Sequence, residues 1–113
     1  MEEQIKKYLE DIIIAIDEIN LFFENIPKRY DTFLNNLLIR RGIKRNIEII
    51  GEAMSRILKI DSSINITNAR KVVDTRNYVI HAYDSLTPDI LWSIVINHLP
   101  LLKKEVQALL KEE

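Results

Sequence analysis

Eight residues, Arg76-Asn77-Tyr78-Val79-Ile80-His81-Ala82-Tyr83, gather an arginine, an amide, a histidine and two tyrosines. An unperturbed histidine titrates near about pH 6.5, so His81 can give or take a proton around neutrality. Arg76 is a planar cation that can hold a phosphate through two parallel hydrogen bonds. Asn77 can orient the histidine ring or hold a phosphate oxygen. Together these groups suffice for cleavage of RNA without a metal. A base takes the proton of a 2′-hydroxyl, that oxygen attacks the adjacent phosphorus, and an acid protonates the departing 5′-oxygen.

The stretch reads as helix, at about 100° per residue. Ala69, Val72, Val73 and Ile80 then share one stripe, and Arg76 and Tyr83 fall near its middle, about 20° apart. Asn77, His81 and Asp84 form a second, polar stripe. An arginine centred on an apolar stripe is costly to bury unless something pairs with it. A structural solution is a carboxylate such as Glu48 or Glu52 inside the subunit, and a functional one is a bound phosphate. On a straight helix Arg76 and His81 point about 140° apart, so one copy cannot easily aim both at one substrate. Two copies related by a two-fold axis along this helix can line a single cleft with residues from both. Tyr83 is either a half-buried aromatic with its hydroxyl in water or, beside Arg76, a hydroxyl close to any bound phosphate.

A second feature is the basic run Arg40, Arg41, Lys44 and Arg45, with Lys28 and Arg29 upstream. It is either a solvated face or a local patch for RNA phosphates. A local patch is the only electrostatic route to nucleic acid, because 16 basic and 17 acidic residues leave a net charge of −1. Other chemistry finds little support. There are no cysteines, which removes thiol catalysis and thiolate ligands and fits a reducing cytoplasm. His81 and His98 lie far apart with no His-Glu-x-x-His pattern, so no metal site is expected. No glycine-rich phosphate loop and no Gly-x-Ser-x-Gly motif occurs. Trp92 and the phenylalanines sit at core spacing and need no ligand. The acidic start, Met1-Glu2-Glu3-Gln4, lacks the layout of a signal peptide, and no apolar run reaches the roughly 18 residues of a membrane span.

At 113 residues, 47% of them hydrophobic, the chain is expected to form one domain, 1–113, with a real core. Apolar residues recur at helical spacing throughout, and with two glycines and three prolines there are no hairpin signals. The class is all-α: an antiparallel bundle of about five helices. The first spans about 4–25, with Ile5, Tyr8, Leu9, Ile12, Ile16, Ile19 and Phe23 buried and Pro27 as its stop. Asp31 is expected to cap a second helix carrying Phe33, Leu34, Leu37 and Leu38. Gly42 marks a break or a close helix contact. A third helix follows through Ile43, Ile47, Ile50, Met54, Ile57 and Leu58 to Lys59. Asp61 to Asn65 is a loop. Asn65 or Thr67 caps the fourth helix, which carries the special stretch and ends at Asp84-Ser85-Leu86. Thr87-Pro88-Asp89 starts the last helix, which runs to about Leu110 with a kink near Pro100, where a backbone donor is missing.

The pattern Arg, four residues, His, one residue, Tyr at Arg76, His81 and Tyr83 resembles the HEPN-domain toxins of the HepT type. Arg45-Asn46-Ile47-Glu48-Ile49-Ile50-Gly51-Glu52-Ala53 is similar to that family's long-helix segment. Trp92 and Leu99-Pro100 are similar to its last helix, so the resemblance covers most of the chain. It implies a HEPN-like bundle and a homodimeric toxin ribonuclease whose composite site uses Arg76 and His81 with Asn77 beside them. It implies no cofactor. It also implies a partner: an MntA-like minimal nucleotidyltransferase antitoxin, encoded alongside, that transfers AMP from ATP to Tyr83. Asp84-Ser85 departs from the aromatic or apolar residue usual after the tyrosine, which touches substrate preference rather than class. The rival reading is a non-catalytic helical subunit that binds nucleotide or presents substrate to a nucleotidyltransferase. A plainer one is a structural dimerising bundle.

Overall fold

A computed structural model describes residues 1–81 and 87–112, the side chains of 76–81 excepted. All regular structure among the described residues is helical. The elements are α1 (Glu3–Leu21), α2 (Tyr30–Leu34), α3 (Leu37–Ile60), α4 (Ala69–His81), α5 (Pro88–Ser93), a π-helical turn (Ile94–His98) and α6 (Leu99–Lys111). Since α5, the π turn and α6 follow without a gap, they form one bent helix, and the bundle has the five expected rods.

Glu2 starts α1 by accepting from the backbone amides of Gln4 (2.9 Å) and Ile5 (3.3 Å), an anion placed at the positive end of the helix dipole. Its inner stripe is Ile5, Leu9, Ile12, Ile16 and Ile19, all buried. The helix stops at Leu21, short of the expected residue 25. The chain tightens there into i→i−3 bonds, Phe23 to Asn20 and Glu24 to Leu21. This turn carries Phe23 across to Trp92, edge-on with centroids 5.5 Å apart. Trp92 stacks in turn on Phe33 at 5.3 Å. Three separate elements thus meet in one aromatic cluster, with Phe23 and Phe33 buried and Trp92 partly so. Phe33 is fully enclosed. Phe33→Ala should therefore remove about 3–5 kcal/mol of stability, read as a lower urea midpoint at unchanged slope.

The next two elements are divided differently from expectation. Asp31 does not cap α2. The cap position is Arg29, and Asp31 lies in the first turn, where Arg29 donates to its carboxylate (Nε–Oδ1 3.1 Å) and holds it below the usual carboxylate range. Leu37 and Leu38 do not belong to α2. Asn36 caps a new helix by accepting from the amide of Ile39 at 3.0 Å, so both leucines open α3. Gly42 lies inside α3 and causes no break. It leaves room for the ring of Phe22, the residue just past α1, since a Cβ there would meet the ring tip at 2.7 Å.

α3 packs on α1 and α4, and its buried stripe is Ile39, Ile43, Ile47, Ile50, Met54 and Ile57. One polar residue sits within it. Asn46 is buried and donates to the Ala15 carbonyl (3.1 Å) and to Glu18 (3.2 Å), tying α3 to α1. Lys103 ties α6 to α1 through Asp17 at 2.7 Å.

The start of α4 also departs from expectation. Neither Asn65 nor Thr67 supplies its cap. Asn68 adopts a left-handed backbone (φ 60°), which asparagine tolerates better than most residues, and its carbonyl accepts from Val72. Thr67 is held from outside, its amide donating to Glu105 of α6 at 2.8 Å. The expected end of this helix at Asp84-Ser85-Leu86 lies outside the described residues. Thr87 then begins α5 as expected, with Pro88 at the first helical position and Asp89 one residue further. The Thr87 hydroxyl hydrogen-bonds Asp89 and holds that carboxyl below its ordinary range. The expected kink at Pro100 takes a definite form. Pro100 has no amide proton, and the turn before it widens so that the Leu99 amide reaches back five residues to Ile94.

Candidate functional site

Arg76, Asn77 and His81 all lie on α4, in its last two turns. The backbone is α-helical through His81, so the wheel geometry inferred from spacing holds. Arg76 and His81 are therefore separated by about 140° around the axis and about 7.5 Å along it. Tyr83 lies outside the described residues.

α4 runs beside a cleft of about 530 Å³ formed with the α5–α6 rod. Ile47 and Ile50 of α3 lie at its floor. Val72 and Thr75 line one wall, and Ile90, Ile94 and Leu101 line the other. Lys71, His98 and Glu105 bring charge and hydrogen-bonding groups to it. Thr75, on this wall, immediately precedes Arg76 in sequence. Ile90 and Leu101 are more than two-fifths exposed, which leaves an apolar surface on this side of the bundle.

Glu48 and Glu52, the carboxylates considered as structural partners for Arg76, each hold a cation on their own helix. Glu48 pairs with Arg45 at 3.5 Å and Glu52 with Arg56 at 3.0 Å.

The basic run occupies the first turns of α3, and its members differ. Arg40 is turned back, its guanidinium donating to the Leu34 carbonyl and closing the α2–α3 junction. Upstream, Lys28 donates to Asn20 (3.1 Å) and Arg29 is bound to Asp31. Arg41, Lys44 and Arg45 stay exposed, Arg45 with its bond to Glu48. Among the described residues, Arg41 and Lys44 are left with their charges open to solvent.

Comparison with known proteins identifies the family of the chain. The model of the HepT-like family, described as ribonuclease HepT-like, matches residues 5–109. The chain belongs to the HepT-like ribonuclease family. A Methanocaldococcus jannaschii protein provisionally named RNase MJ1380 is 35% identical over 108 residues, covering 94% of this chain and 96% of its own. A second protein of that organism, provisionally named RNase MJ1216, is 30% identical over 112 residues, with 98% and 91% covered. A Thermococcus cleftensis protein, named ribonuclease HepT with the same reserve, is 32% identical over 112 residues, with 98% and 100% covered. No solved structure matches. The enzyme class of this HepT-like chain is thus endoribonuclease, as its Arg-x4-His-x-Tyr pattern suggested. Among the described residues no helix is long and apolar enough to cross a membrane.

Asn46 is the residue that sequence reasoning missed. Its signal was present, since a polar side chain recurs there in phase with Ile39, Ile43 and Ile50.

Proposed function

We propose that this HepT-like chain is the toxin of a toxin–antitoxin pair, a homodimeric ribonuclease with a composite site built on α4. The observation that carries the reading is the continuous helix through Thr75, Arg76 and His81. Its backbone spacing of about 140° between residues 76 and 81 supports a site in which a second copy brings the cation and the proton carrier to one phosphate. The apolar cleft flanking α4 supports self-association on this side.

In the proposed reaction His81 exchanges the protons, at the 2′-hydroxyl or at the departing 5′-oxygen. Arg76 holds the charge that grows on the phosphorane oxygens. Asn77, one turn before His81, orients its ring or holds a phosphate oxygen. No metal or cofactor takes part.

Control is by a minimal nucleotidyltransferase antitoxin. The Tyr83 phenolic oxygen attacks the α-phosphorus of ATP, its proton is lost, and the bond to the β-phosphate breaks to release pyrophosphate. The AMP left on Tyr83 is anionic and bulky. Placed beside Arg76, it satisfies the arginine internally and excludes an RNA phosphate.

Incubation with that nucleotidyltransferase and ATP should add one or more AMP units to the intact mass, and Tyr83→Phe should abolish the gain. An unchanged mass with an active transferase would shift weight to the reading of a non-catalytic, nucleotide-binding subunit.

A further inference from the structure

The start of α3 has a face that the core does not explain. Leu38 is 82% exposed and Leu37 51%. On the helical wheel Leu37 and Leu38 lie about 110° and about 150° to either side of the centre of the buried stripe through Ile43, Ile47 and Ile50, so the pair straddles the opposite face. They are not a frayed end, because Asn36 caps the helix and Arg40 fastens it to α2. Arg41, Lys44 and Arg45 continue the same face over the next two turns, Lys44 seven residues after Leu37 and Arg45 seven after Leu38. The result is a stripe about 12 Å long, with an apolar tip and a cationic body.

We infer that this stripe is the docking surface for an acidic protein partner that has an apolar seat for the leucines, and that the partner is the nucleotidyltransferase. The inference rests on the toxin–antitoxin reading above. Charge and the leucine pair together favour an acidic protein surface over the alternatives. A second copy seated here about a two-fold axis would set Arg41, Lys44 and Arg45 against their own mates. RNA would match the cations but leave the leucine pair in water. A surface with carboxylates around a hydrophobic depression satisfies both ends. Position agrees as well. α3 and α4 are joined by the loop 61–68 and run antiparallel, with Ile47 and Ile50 facing the cleft shared with Val72 and Thr75. Beyond Thr75, α4 therefore heads toward the end of the bundle where α3 begins. A transferase seated on the stripe stands at the end toward which α4 runs through residues 76 and 81.

The test compares the full-length parent with a Leu37→Ser/Leu38→Ser double variant. Four readouts are needed: affinity for the purified nucleotidyltransferase, AMP gain, RNA cleavage and dimer mass. The parent should bind more weakly as salt rises. The variant should bind at least about tenfold more weakly and gain AMP more slowly at limiting transferase. Its cleavage, dimer mass and thermal unfolding should match the parent, because neither leucine belongs to the core or to the proposed site. A variant that binds and is modified like the parent overturns the docking surface and leaves the toxin–antitoxin reading standing. A parent that is neither bound nor modified overturns both. A variant that loses dimer mass, or RNA cleavage with transferase binding intact, assigns the stripe to a second copy or to RNA and overturns the inference.

Discussion

His81→Ala cleaves RNA about 10²–10⁴-fold more slowly than the parent, with unchanged unfolding and unchanged dimer mass, if this histidine carries the proton transfers. The expectation follows from composition as much as from placement. Among the residue types present, histidine titrates closest to neutral pH without help from its surroundings, and His98, the second one, lies on the other wall of the cleft from α4. The loss should appear in the cleavage step under single-turnover conditions, since a general acid or base acts on the transition state. On the proposed toxin reading, expression of the parent alone should arrest growth and expression of this variant should not.

Arg76→Ala should cost about 10²–10³-fold in cleavage, the scale of losing one preorganised donor at a developing oxyanion. Arg76→Lys separates the possible reasons. A lysine keeps the charge but loses the fork that grips two phosphate oxygens, so it should recover part of the rate. If alanine and lysine are equally inactive yet fold and dimerise normally, the paired geometry matters more than the charge. If Arg76→Ala lowers stability with little effect on cleavage per folded molecule, the arginine is a structural ion-pair partner and the site assignment is wrong.

The legible and illegible parts of this chain separate along physical lines. Helix content followed from periodicity, because each rod buries a stripe, and Ile5, Leu9, Ile12, Ile16 and Ile19 recur at helical steps. The start at Thr87-Pro88 and the bend near Pro100 followed from proline's missing donor, a local effect. Failures came where a competing contact, local or tertiary, overrides the expected signal. Phe33, Leu34, Leu37 and Leu38 read as one stripe of one helix, yet Asn36 caps between them and turns the chain. Asp31 has a capping side chain but is taken by Arg29. Thr67 looks like a cap but is held from α6 by Glu105, so Asn68 makes the turn instead.

The site shows the same division. That Arg76, Asn77 and His81 share one helix was readable from spacing. That Arg40 spends its guanidinium on the Leu34 carbonyl was not, since a sequence displays charges and hides their partners. Nor did the apolar runs reveal that two leucines at the start of α3 face solvent. Their outward phase shows only once the helix boundary at Asn36 is known.

The claim at the centre of this account is that neither copy alone brings Arg76 and His81 to one phosphate. Mixing purified Arg76→Ala and His81→Ala chains under exchange conditions tests it directly. Each variant alone should be nearly inactive. If every site takes its arginine from one copy and its histidine from the other, a mixed dimer contains one intact site and one doubly defective site. Random pairing then returns about one quarter of the parental cleavage rate. Recovery near that level is the predicted result. No recovery, with mixed dimers shown to form, would contradict a composite site.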